Sequence, residues 1–282
     1  MEANGAVKAE GEPYRNFDDS NISLNAGLLY RINSRFNAFA QYGEGFKVPS
    51  YDLAYIDHDN SLYGYKLLPS EDLSPEESQT FELGVKGHIG NIAMSIAVFR
   101  NEYENFLSTQ LTGTEPSIDP FTGEVAQILL FQYQNIDEVT IEGAEAGVTY
   151  YLDDYVSFFA NAAYQDGKDE TTGDYINSIS PLSGNIGANF SGDRWSTDLV
   201  LNWAKRMTKV NEGSATTAGY GVVDWLLHYS FSDNLKASFV VNNIADKEYI
   251  RYNSIAGHGI DADLDYFAAQ GRNMRLNVNY RF

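Results

Sequence analysis

The chain has 282 residues, 39 acidic against 19 Lys and Arg, and a formal charge of −20; it contains 20 Tyr, 16 Phe and no Cys. This acidity excludes a surface built to hold a phosphate backbone, so no nucleic-acid partner is expected, and zero cysteines exclude a disulfide scaffold or a thiolate metal site. No apolar run approaches the roughly 20 residues of a transmembrane helix, but short half-apolar strands cross membranes without one.

In chain order, eleven segments alternate polar and apolar side chains, the period of a strand between two unlike media. The first runs from Ile22 to Ile32, with Leu24, Ala26, Leu28 and Tyr30 on its apolar face. The second sends Phe36, Ala38, Ala40 and Tyr42 outward. Segments three (Thr80–Ile89) and four (Ile92–Val98) meet at Gly90-Asn91, a hairpin signal. The fifth (Val139–Leu152) turns at Asp153-Asp154 into the sixth, which presents Val156, Phe158, Ala160 and Ala162. Gly143 falls where the fifth changes phase, which reads as a β-bulge. The seventh (Gly184–Phe190) leads to the eighth (Thr197–Trp203), and the ninth (Val223–Phe231) to the tenth (Leu235–Val241). The last alternates without a break from Asn273 to Phe282, with Met274, Leu276, Val278, Tyr280 and Phe282 on one face.

Short turns follow the odd segments. Polar loops over 43–79, 100–138, 165–182, 204–220 and 252–270 follow the even ones. This asymmetry predicts an all-β fold, a transmembrane antiparallel β-barrel in the bacterial outer membrane. Long loops would be extracellular, with the short turns and C-terminus periplasmic. Eleven strands would leave bare edges in lipid, and Met1 to Gly5 do not resemble a signal peptide. Residues 1–282 are therefore expected to be the C-terminal part of a larger barrel, with signal peptide and further strands upstream. Lipid would face the apolar band, and acidic loops suit a lipopolysaccharide surface bridged by divalent ions. Tyr30, Tyr42, Tyr150, Trp203, Trp225 and Tyr280 read as interfacial girdles.

Several segments then resemble one family. Gly45-Phe46-Lys47-Val48-Pro49-Ser50-Tyr51, and Asp72-Leu73-Ser74-Pro75-Glu76 before the third strand, resemble the paired box of TonB-dependent outer-membrane receptors. So do Asn135 to Glu145, Val241 to Tyr249, and the terminal strand with Tyr280 and Phe282, the expected assembly signal. Lys47-Val48 and Ser70-Glu71 depart from the usual Arg-Ala and Asn-Pro. The resemblance implies a plug domain upstream, TonB and its inner-membrane motor as partners through that missing part, and import of a scarce ligand. It implies no covalently bound cofactor and no enzyme activity.

The segment from Tyr51-Asp52-Leu53-Ala54-Tyr55 to Leu73 is similar to the haem and haemoglobin receptor branch. That likeness makes His58 a candidate axial ligand for haem iron, with Tyr55, Tyr63 and Tyr65 flanking the porphyrin. Asp57 and Asp59 beside His58 are candidates to orient the imidazole or bind a cation. Siderophore and cobalamin receptors share the boxes and stay open, as does a passive porin; an outer-membrane enzyme or an adhesin are rivals of other classes. His88 and His228 fall on the polar phase of their strands, and His258 reads as a surface position in the last loop. Glu142 and Glu145 read as lumen-facing carboxylates. No Ser-His-Asp pattern, phosphate loop or zinc spacing is visible.

Overall fold

The structure, a computed structural model, describes residues 20–282 except 56, 62–63, 71, 119–122, 124 and 178. Strands dominate it, in the order β1 (Asn25–Arg31), β2 (Phe36–Lys47), β3 (His58–Asn60), β4 (Tyr65–Leu68), β5 (Glu76–Ile89), β6 (Ile92–Ile118), β7 (Val125–Tyr151), β8 (Val156–Asp169), β9 (Ser183–Ser191), β10 (Trp195–Ala204), β11 (Tyr220–Ser230), β12 (Leu235–Asn242) and β13 (Asn273–Tyr280). Two short helices, α1 (Tyr51–Tyr55) and α2 (Tyr252–Ile255), lie in connections. Among the described residues no helix is long and apolar enough to cross a membrane, which says nothing about crossing with strands.

Among the described residues, one 13-stranded sheet contains every strand named above. Its main path is β1-β2-β5-β6-β7-β8-β9-β10-β11-β12-β13, the eleven strands expected from alternation, with β3 and β4 off the path. β1 and β13 are its two ends, so the sheet is open, as in part of a larger barrel. Short connections (32–35, 90–91, 152–155, 192–194, 231–234) separate the strands of successive hairpins. Gly90 takes φ 55° in the tightest of them, as the Gly90-Asn91 signal requires.

The expected loop 100–138 is mostly strand. β6 continues to Ile118 and β7 begins at Val125. Their polar outer halves lack the two-phase alternation of a lipid-facing strand, yet pair with each other, so the ladder extends well beyond the roughly 9–11 residues that span a bilayer. Likewise the expected loop 43–79 contains the end of β2, α1, the β3–β4 hairpin and the start of β5.

Contacts divide the chain into two compact units, and β1, β2, β5, β6 and β7 contribute residues to both. One holds Tyr42–Thr80 and Asn101–Val139 with the segment up to Ala26. Among its buried points are Pro49, Ala54, Leu73, Ile128 and Val139. The other holds Gly27–Gln41, Phe81–Arg100 and Thr140–Phe282. In this unit large apolar side chains on interior strands stand in the open: Leu83 is 59% exposed, Ile96 55% and Ile186 52%. Such an apolar surface needs lipid to cover it, since a soluble monomer rarely exposes a contiguous patch of this kind. An open concavity of about 750 Å³ in this unit has a mixed lining, with Gln41, Glu82, Lys86, Glu145 and Asn161 beside apolar groups such as Phe39.

Gly143 lies inside β7 without left-handed backbone. Close approach explains the glycine: a Cβ there would run into the Tyr164 carbonyl oxygen and sit 2.6 Å from the Phe99 ring.

Candidate functional site

The family-box residues lie together in the first unit. Phe46 and Lys47 end β2; Pro49 is buried and Val48 half-buried just beyond. The chain then turns into α1, where Leu53 N–H donates to the Ser50 carbonyl at 3.0 Å. Ser70 N–H donates to the Ala54 carbonyl at 2.7 Å, closing the segment between the two boxes. In the second box Leu73 is 4% exposed while Asp72 stands in solvent.

Asn135 clasps this box. Its Oδ1 accepts the Ser74 N–H at 2.8 Å, and its Nδ2 donates to the carbonyls of Ser74 at 3.0 Å and Asn105 at 2.6 Å. Asn105 takes φ 54°, a bend in β6 that presents its carbonyl to the clasp. Glu76, the first residue of β5 and next to Pro75, accepts the Leu107 N–H at 2.9 Å. The second box therefore has a structural task here, joining the start of β5 to β6 and β7.

Between the boxes, β3 and β4 pair antiparallel with His58 opposite Leu67, Asp59 opposite Lys66 and Asn60 opposite Tyr65. Residues directly opposite share a face and neighbours along a strand alternate. His58 and Tyr65 therefore stand on one face, as diagonal neighbours roughly 7–8 Å apart. Asp59 and Lys66 occupy the other. His58 is exposed. The Tyr65 hydroxyl accepts from Asn60 Nδ2 at 2.6 Å, and its ring meets Phe131 edge-on at 6.4 Å. Tyr55 ends α1, half-buried; Tyr63 lies outside the described residues.

Asp59 does not orient His58. Its carboxylate faces away from the imidazole and is engaged by the Ser61 hydroxyl and N–H and by Lys66 Nζ at 3.2 Å. The Ser61 donors, and then Lys66, hold it below the usual carboxylate range. Among the described residues no group of three His, Cys, Asp or Glu is arranged to hold a metal ion.

Elsewhere Glu142 and Glu145 serve different ends: Glu142 reaches Arg100 at 3.9 Å, whereas Glu145 lines the concavity. His88 and His228 are exposed on β5 and β11. His258 is not a loose surface position. Half-buried, it meets Phe267 at 4.6 Å, its Nδ1 lies 3.1 Å from the Ile255 carbonyl, and its own carbonyl accepts the Ala215 N–H at 2.8 Å. It belongs to a loop core that the sequence did not reveal: Met207, Ala215, Tyr252 and Ile255, from the connections 205–219 and 243–272. Asn243 anchors the second of these. Its N–H donates to Asp224 at 2.7 Å and its side chain brackets Lys247, accepting from the N–H at 2.9 Å and donating to the carbonyl at 2.8 Å.

Residues 3–244 match the family model described as "TonB dependent receptor-like, beta-barrel". The chain belongs to this family. It is 25% identical over 95% of its length to the vitamin B12 transporter of Vibrio vulnificus, covering 39% of that protein. It is 23% identical over 86% of its length to a probable hemoglobin and hemoglobin-haptoglobin-binding protein of Haemophilus influenzae, covering 27% of it. Among solved structures, the copper transporter OprC superposes with a TM-score of 0.71 at 18% identity, over 92% of this chain and 39% of that one. The ferric enterobactin receptor of Pseudomonas aeruginosa gives 0.68 at 20%, over 93% and 40%. The chain thus spans well under half the length of these relatives, and the likeness in structure concerns the fold.

Proposed function

We propose that this chain is the C-terminal barrel portion of an outer-membrane receptor that captures haem or another iron source and imports it with energy relayed by TonB. The observation that carries this reading is the β3–β4 hairpin between the family boxes, with exposed His58 and the Tyr65 ring on one face. A neutral imidazole is a good axial ligand for haem iron, and an aromatic edge suits the flank of a porphyrin. Tyr55, at the end of α1, enters the hairpin from its other side in sequence. In this reading the long connections are extracellular, the short turns and the C-terminus periplasmic, and lipid and lipopolysaccharide surround the apolar band. Tyr280 and Phe282 act in assembly. Plug and TonB contact belong to the rest of the full-length protein, and haem, free or from haemoglobin, is cargo.

A second reading is a siderophore or cobalamin receptor. It is favoured by the range of relatives, which includes a vitamin B12 transporter and ferric enterobactin receptors at similar identity. A passive porin fits less well, since it has no need of a matched pair of family boxes.

The test is haem titration of the full-length receptor, followed by absorption spectroscopy, for wild type and His58→Ala. Saturable binding with a Soret shift that His58→Ala alters supports the haem reading. No binding by the wild type overturns it in favour of a siderophore or cobalamin.

A further inference from the structure

Among the described residues, three kinds of contact attach the β3–β4 hairpin to its surroundings. β4 joins β7 through a parallel ladder running from Tyr65 opposite Leu129 to Leu68 opposite Gln132, and parallel pairs are slightly the weaker kind. Leu129 N–H donates to the Gly64 carbonyl at 2.8 Å, and Gln132 Nε2 to that of Pro69 at 2.6 Å. On the hairpin face opposite His58, Lys66 Nζ pairs with Asp59 across the hairpin and donates to the Glu115 carboxylate on β6. One ammonium thus ties β3, β4 and the outer part of β6. We infer that Lys66 is the latch that seats the β3–β4 hairpin on the β6–β7 ribbon, and so positions the face bearing His58 and Tyr65. The second half of this inference rests on the ligand reading above; the latch itself does not.

The charged groups facing Lys66 are the carboxylates of Asp59 from β3 and Glu115 from β6; the β7 residues of the ladder, Leu129 to Gln132, carry none. Glu115 and Asp59 raise the Lys66 ammonium above its ordinary 10.5, while Asp59 lies below its ordinary 3.8. The latch is therefore read from geometry: one ammonium lies between a carboxylate of its own hairpin and a carboxylate of β6.

The test is hydrogen exchange on the full-length receptor in detergent, read as protection factors so that the intrinsic pH dependence drops out. Segment 58–68 is compared with the strand segment 92–100 in wild type, Lys66→Met and Lys66→Arg. Removing two partly exposed pairs should cut protection of 58–68 in Lys66→Met by roughly two- to tenfold at neutral pH, with 92–100 unchanged. Lys66→Arg should restore most of it. Equal protection in wild type and Lys66→Met, or no rescue by arginine, overturns the latch. If exchange behaves as expected while His58→Ala leaves haem binding unaltered, the latch stands and the haem reading fails. The reverse pattern removes the latch and keeps the ligand.

Discussion

Asn135 and Ser74 are held to each other reciprocally: the amide oxygen of Asn135 takes the Ser74 N–H at 2.8 Å, and its amide nitrogen gives a bond to the Ser74 carbonyl at 3.0 Å. The same nitrogen reaches the Asn105 carbonyl at 2.6 Å. Asn135→Ala removes all three and leaves backbone groups to find water or stay unpaired, at a cost of about 1–3 kcal/mol. Exchange protection should fall at 73–76 and 105–107 together. Loss at one segment alone would show that the clasp does not couple them.

This clasp marks where the sequence stops being legible. Strand facing could be read because lipid and lumen impose opposite chemistry on alternate residues, as in Met274 to Phe282. The far halves of β6 and β7 carry polar residues in both phases, so Thr109, Thr112, Thr114 and Gln127 show no such alternation and read as loop. Asp59 and Lys66 are seven residues apart, and their pairing depends on the turn between them, which fixes both register and face. Met207 and Ile255 lie far apart without a period to link them, so no core could be inferred between two polar connections. His58 was visible as a candidate. That Asp59 turns its back on it was not.

Gly143 gives a test of backbone approach. With the Tyr164 carbonyl and the Phe99 ring where a Cβ would stand, Gly143→Ala must displace one of them, at about 1–3 kcal/mol. Gly113, also in a strand, has nothing within 4 Å of that point. Gly143→Ala should lower the unfolding temperature of the full-length barrel, and Gly113→Ala should leave it nearly unchanged. Equal effects would mean that strand glycine content, not contact, is what matters.

Leu276 and Asn277 are adjacent on β13, pairing with Phe239 and Ser238 of β12. Their side chains therefore leave opposite faces of the sheet. An arginine on the lipid face costs about 2–4 kcal/mol near the bilayer centre. Leu276→Arg should reduce the heat-modifiable folded form in membranes, while Asn277→Arg should assemble much as wild type. Equal assembly of the two would reverse or erase the facing assignment.

Lys209 should be a poor nucleophile. Its ammonium donates to Asp166 and to the Tyr164 hydroxyl, each at 2.6 Å, and Asp166 first, then Tyr164, pushes its pKa up to about 12. Being raised, the group stabilises the fold below the ordinary lysine value and loses that contribution as pH rises through about 12. Both side chains are partly exposed, so the pair is worth about 1 kcal/mol at most. The clearer readout is reactivity. At mildly alkaline pH the neutral amine should be roughly tenfold or more scarcer than on an unpaired lysine. Acylation of Lys209 should be slow in wild type and fast in Asp166→Asn. The same rate in both would remove Asp166 as the cause.

Ile255 tests whether connections 205–219 and 243–272 order as one body. It is fully buried, against Met207 and Ala215 from the first and Tyr252 from its own. The backbones are also laced: Ala215 N–H donates to the His258 carbonyl, and Ile260 N–H to that of Gly213 at 2.9 Å. Ile255→Ala removes a fully buried side chain, at about 2–5 kcal/mol. Because the core it fills is shared by the two connections, the loss should not stay local. Protection should fall in 207–217 as well as 250–268, while β11 and β12, held by their own ladder, keep theirs. If 207–217 stays protected, each connection orders by itself. In that case Asn243, whose bonds to Asp224 and Lys247 lie within reach of the strands, would be the anchor of the second.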